Sequence, residues 1–86
     1  MRNSKEFSYY GNKYWCLNDL LHREDGPAVE YANGDKVWYI NGQCHREDGP
    51  AIEWAYGGKE WHINGEKFDC KTQEEFERYK KLITFL

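Results

Sequence analysis

Two stretches of the chain alternate apolar and polar residues with period two, Ala28-Val29-Glu30-Tyr31 and Lys36-Val37-Trp38-Tyr39-Ile40. Such alternation marks half-buried strands. Between them stands Ala32-Asn33-Gly34-Asp35. Asn-Gly suits a type I′ turn, whose two central residues both need positive φ, so the pattern predicts a tight hairpin turning at Asn33-Gly34. Tyr56-Gly57-Gly58 serves the same purpose further on, and Asn41-Gly42 opens a longer connection through Gln43 to Pro50. Pro50 has no N–H to donate and belongs at a strand start or edge. The period then changes. Thr72-Gln73-Glu74-Glu75 reads as a capping box, with Thr72 as N-cap and Glu75 three residues on. Phe76, Tyr79, Leu82, Ile83 and Leu86 fall on one helical face, predicting an amphipathic helix over 72–86. Such a helix covers an apolar sheet face or an exposed end, where open edges are a liability.

The alternation repeats. His22-Arg23-Glu24-Asp25-Gly26-Pro27-Ala28 recurs unchanged as His45-Arg46-Glu47-Asp48-Gly49-Pro50-Ala51, an offset of 45 − 22 = 23 residues. Over 22–42 against 45–65, 15 of 21 positions are identical, which identifies one structural unit used repeatedly. Lys13, Trp15, Leu17 and Asn18 extend the columns backwards, matching Lys36, Trp38, Ile40 and Asn41 and then Lys59, Trp61, Ile63 and Asn64. Gly11, Gly34 and Gly57 form a further column. Asp19 stands where later copies have Gly42 and Gly65, and Phe68-Asp69 replaces His-Arg in the last copy. Atypical ends are expected of a stack, because a terminal unit lacks one neighbour.

Strict alternation sorts the side chains into two faces. Trp15, Leu17, Val29, Tyr31, Trp38, Ile40, Ile52, Trp54, Trp61 and Ile63 make the expected core face. Tyr14, Cys16, Glu30, Val37, Tyr39, Glu53, Glu60 and His62 make the expected outer face. The expected fold class is therefore mainly β plus one helix: a single-sheet antiparallel β-meander of hairpin repeats with a C-terminal capping helix.

Composition sharpens this picture. Mean hydropathy is −1.03, low enough to suggest disorder, but 17% of the 86 residues are aromatic, with four Trp and seven Tyr. Disordered chains are poor in rings. A few side chains of large area do the burying. At this length the chain makes one domain, 1–86. Twelve basic against fifteen acidic residues give a formal charge of −3, without the basic surplus of a general nucleic-acid binder. No apolar run reaches membrane-spanning length and no signal peptide opens the chain. Three cysteines without paired spacing read as reduced thiols, and the expected location is cytoplasmic.

The period, the aromatic strand and the turn in Trp38-Tyr39-Ile40-Asn41-Gly42-Gln43-Cys44-His45 and Trp61-His62-Ile63-Asn64-Gly65-Glu66-Lys67 resemble the MORN repeat family over residues 8–68. The His-Arg-Glu-Asp-Gly-Pro-Ala loop departs from the usual glycine-rich MORN loop. It is similar to a variant seen in small proteins of bacteriophages and large DNA viruses. The resemblance implies a scaffold that binds proteins, or in some cases lipid headgroups, and implies no catalysis. In a viral setting it implies a phage-encoded protein that binds and modulates a host enzyme or defence component, working in the host cytoplasm.

Candidate chemistry follows the repeat. His22, Arg23, Glu24 and Asp25 beside His45, Arg46, Glu47 and Asp48 form a polar ladder on one sheet edge, with equivalent loops on the order of 10 Å apart. They either present a partner-binding edge or serve the stacking, with Asp capping a turn, Arg pairing with the next loop and His packing on Trp. Tyr14, Val37, Tyr39 and His62 on the outer face are a second candidate partner surface, since Tyr gives large contact area at low entropic cost. Catalysis is not expected: the copies are identical, whereas paired acid–base groups need differentiated environments. Neither a cofactor nor a metal site is expected, for no Cys-x2-Cys or His-x3-His spacing occurs. The expected function is a non-catalytic protein-interaction module. The alternatives are an RNA- or ribonucleoprotein-binding adaptor using Arg23, Arg46, the lysines and exposed Tyr, and a lipid-headgroup binder. An incomplete first unit leaves an edge strand through which a homodimer would pair.

Overall fold

A computed structural model describes residues 4–84. Among these residues ten short strands precede one helix: β1 (Lys5–Tyr9), β2 (Asn12–Leu17), β3 (Leu20–Leu21), β4 (Val29–Glu30), β5 (Lys36–Val37), β6 (Tyr39–Ile40), β7 (Gln43–Cys44), β8 (Ile52–Glu53), β9 (Lys59–Ile63), β10 (Glu66–Phe68) and α1 (Gln73–Thr84). The strands are antiparallel, so the mainly-β expectation with a terminal helix holds. They do not form one sheet. Strands β1-β2-β4-β5-β8-β9-β10 run in that order with β3 on β2, while β6 and β7 form a separate two-stranded ribbon. The break comes at Trp38, between β5 and β6, whose N–H turns to the Ala51 carbonyl at 2.8 Å. Strand β1 was not anticipated: its polar start hid the alternation of Lys5-Glu6-Phe7-Ser8-Tyr9.

Two kinds of turn join the strands. At Tyr10-Gly11, Asn18-Asp19, Asn41-Gly42 and Asn64-Gly65 both central residues have positive φ, and two-residue hairpins close there. Asn33-Gly34 is different. Only Gly34 has positive φ, and Tyr31 N–H bonds to the Asp35 carbonyl, leaving a three-residue loop over 32–34. The same loop recurs at 55–57, where Trp54 N–H bonds to the Gly58 carbonyl.

That one extra residue corrects the expected faces. A two-residue turn would set Val29 opposite Trp38. The three-residue loop sets it opposite Val37. Because side chains alternate, a shift of one residue moves a whole strand's set to the other face. The cross-strand row is therefore Phe7–Tyr14–Val29–Val37–Ile52–Glu60. Val37, expected on an outer face, is only 6% exposed, and Val29 is fully buried beside it. Tyr31, expected in the core, is 40% exposed. Trp15, Trp38 and Trp61 share the opposite face with Glu30 and Glu53, since Lys13 pairs with Glu30 and Lys36 and Lys59 both pair with Glu53.

Helix α1 packs on the tryptophan face. Phe76 is fully buried, 6.3 Å from the Trp61 ring and 5.5 Å from Phe68, and the Trp61 indole N–H donates to Gln73 Oε1 at 2.8 Å. Thr72 caps the helix as expected, its Oγ1 accepting the Glu75 N–H at 3.2 Å, but Glu75 Oε1 reaches back to the Lys71 N–H at 3.0 Å in place of that of Thr72. The apolar stripe is not buried along its length. Tyr79 meets Phe68 edge to face, but Leu82 and Ile83 are 64% and 51% exposed. Leu86 lies outside the described residues. The whole is a slab of 39 × 32 × 17 Å.

Candidate functional site: a groove between two identical loops

The two His-Arg-Glu-Asp loops fold back over the tryptophan face, correcting their expected position along a sheet edge. Arg23 Cζ sits 3.9 Å from the centre of the Trp15 ring, and Arg46 Cζ sits 4.0 Å from that of Trp38. Each guanidinium is then held within its own unit. Arg23 donates to Asp25 Oδ1 at 3.1 Å, to the Pro27 carbonyl at 3.1 Å and to Glu30 Oε2 at 3.4 Å. Arg46 does the same with Asp48, Pro50 and Glu53, each at 3.1 Å. The expected pairing of Arg with the next loop does not form, because the ring of the preceding unit and the carboxylate of its own lie within reach. Asp25 and Asp48 accordingly bind the guanidinium.

The histidines tie each loop to the two-residue turn that follows the next aromatic strand. Asn41 N–H donates to His22 Nδ1 at 3.0 Å, and Asn64 N–H donates to His45 Nδ1 at 2.9 Å. With Nδ1 accepting, the proton stands on Nε2, which donates to Glu24 (3.2 Å) or Glu47 (3.3 Å). The backbone follows the same rule: Arg23 N–H bonds to the Tyr39 carbonyl and Arg46 N–H to the His62 carbonyl, both at 3.1 Å. His and Arg thus face inward. Glu24, Asp25, Glu47 and Asp48 face outward, keeping 58–88% of their side-chain surface in solvent.

Between the loops lies an open groove of about 810 Å³. Trp38 and Ile40 floor it, and all eight residues of the predicted ladder line it. The sequence-predicted loop residues therefore come together at one place. Tyr14, Val37, Tyr39 and His62 lie on the valine face instead. Val37 and Tyr39 line a second hollow of about 530 Å³ with Tyr31, Ile52 and Trp54, three residues assigned by sequence to the core; Tyr14 and His62 are half-buried outside it. Ring-bearing positions on that face were detectable only with the loop length known.

Titratable groups on the valine face are tied up locally. His62 Nε2 meets Glu60 Oε1 at 3.2 Å, and the Trp54 indole donates to Glu60 Oε2 at 3.3 Å. The His62 hydrogen bond, with help from Trp54 and Lys67, holds the Glu60 carboxyl below the usual carboxylate range against the opposing pull of burial. His62 Nδ1 is buried without a hydrogen-bond partner among the described residues. Burial, aided by the Glu60 charge, pushes the Cys44 thiol up to about 11. Burial also raises Tyr39 and Cys70. A thiol so raised is a poor nucleophile near neutrality. Among the described residues the three cysteines are free and no group of three His, Cys, Asp or Glu side chains is placed to hold a metal ion. Nor is any described helix long and apolar enough to cross a membrane.

Comparison with protein-family profiles, with curated proteins and with solved structures finds no match to this chain.

Proposed function

We propose that this chain is a non-catalytic protein-recognition module and that its partner seats in the groove between the two loops. The observation that carries this reading is the groove itself: an indole and an isoleucine between two walls whose outward groups are carboxylates. Such a surface suits a protein segment with apolar and basic side chains, because an aromatic floor gives contact energy and a charged rim gives orientation. Phosphates would meet like charge there. Arg23 and Arg46, on which RNA binding would depend, are engaged by indole rings and carboxylates. The MORN-like resemblance supports the same class, a scaffold, and with it the setting of a phage-encoded protein acting on a host protein.

Affinity capture from a host lysate tests this. Wild-type chain is expected to retain a protein in a salt-sensitive manner. Replacing Glu24→Lys together with Glu47→Lys, with folding checked by circular dichroism, is expected to abolish that capture. Undiminished capture by the doubly reversed chain would place the partner elsewhere. Retention of RNA in place of protein would support the adaptor.

A further inference from the structure

The two loops have the same sequence but different neighbours. Beyond the second loop, toward the third unit, lies α1. There Lys80 Nζ donates to the backbone carbonyl of Glu47, while standing 3.3 Å from Glu77 Oε1 and 5.1 Å from the centre of the Phe76 ring. Gln73 Nε2 approaches the Asp48 carbonyl at 3.5 Å. Beyond the first loop, toward the second unit, lies the open groove, and Glu24, Asp25 and Gly26 form its wall. Glu24 and Asp25 are the counterparts of Glu47 and Asp48, one repeat of 47 − 24 = 23 residues earlier. The molecule therefore shows, at one copy of the loop, what the other copy can hold.

We infer that the groove takes a lysine side chain from a protein partner, held at the first loop as Lys80 is held at the second. The ammonium donates to the Glu24 carbonyl. Glu24 and Glu47, which the arginines do not engage, set negative charge beside it, Asp25 and Asp48 being held by Arg23 and Arg46. The aliphatic stem lies along Ile40 and the part of Trp38 that Arg46 leaves uncovered, as long cationic side chains do on apolar surface. An ammonium is a compact charge with three donors, which suits a single carbonyl flanked by carboxylates. A guanidinium is a planar fork better matched to a bidentate partner, and the Trp38 ring that would stack it already carries Arg46. Lysine is thus favoured over arginine.

This inference rests on the groove reading, but the two fail separately. The test is an NMR titration of the full chain with a short lysine–alanine peptide, the same peptide acetylated on every Nε, and its arginine counterpart. The lysine peptide is expected to shift the backbone amides of Glu24, Asp25 and Gly26 and the Trp38 indole N–H. Acetylation should weaken binding about ten-fold or more, the worth of one charge-assisted hydrogen bond. Equal binding of the acetylated or the arginine peptide, or shifts confined to residues outside the groove, would overturn the inference. A captured partner that protects both loops while no lysine peptide binds would overturn it and leave the groove reading standing. A partner that protects neither loop would remove both.

Discussion

At the residue scale the loop arginines carry most of the local order. Each stacks on a tryptophan and satisfies a carbonyl and two carboxylates of its own unit. A cation–π contact and hydrogen bonds by a charged donor together contribute about 2 kcal/mol. Arg46→Ala is therefore expected to lower the urea midpoint by a corresponding amount, and Arg46→Lys is expected to restore little of it, since an ammonium cannot stack and fork at once. An unchanged midpoint would show the contact to be idle. Glu60 supplies a pH dependence. Its folded pKa is depressed, chiefly by the His62 hydrogen bond. It therefore stabilises the fold above the ordinary carboxylate range, and that contribution is lost as pH falls through the folded pKa. Glu60→Gln should flatten the acid side of a stability–pH curve. A curve that keeps its slope would contradict the assignment.

At the element scale two junctions decide the fold. The two-residue turns need positive φ at both positions, and Asp19 occupies the second one at φ 65° where the other units have Gly42 and Gly65. A left-handed conformation is costly for a residue with a Cβ. Asp19→Gly should raise stability by about 0.5 kcal/mol, whereas Gly42→Asp should lower it, the more so because a Cβ there would meet Leu20 Cδ2 at 3.2 Å. Thermal midpoints of the two variants check the pair. The second junction is α1. Phe76 covers Trp61 where an arginine covers Trp15 and Trp38, so the helix stands in for the missing third loop. Phe76→Ala should cost about 3–5 kcal/mol, a large share of the roughly 5–15 kcal/mol that holds an ordinary small domain. A midpoint close to wild type would mean that α1 is not structural. The capping box made this helix readable in advance. The register of the hairpins was not readable: Asn-Gly occurs in both turn types, and only backbone φ tells the two-residue turn at Asn41-Gly42 from the three-residue loop ending at Gly34.

At the scale of the whole molecule the 23-residue offset is the most legible feature. It marked out the tryptophan column and both loops, and it brought the eight loop residues to one groove. The two faces were less legible, because alternation gives relative sides within a strand and the odd loop decides how adjacent strands combine. Val37, expected on the face opposite Val29 and Tyr31, shares theirs for that reason. The slab is only 17 Å thick, so each face of the sheet is a candidate surface and a partner must choose between them. Hydrogen–deuterium exchange of the chain alone and with its captured protein partner distinguishes them most directly. A partner seated in the groove slows exchange in segments 22–26 and 45–49 and at Trp38. Slowing confined to the valine-face hollow around Tyr31, Tyr39 and Trp54, with both loops unchanged, would contradict that seating.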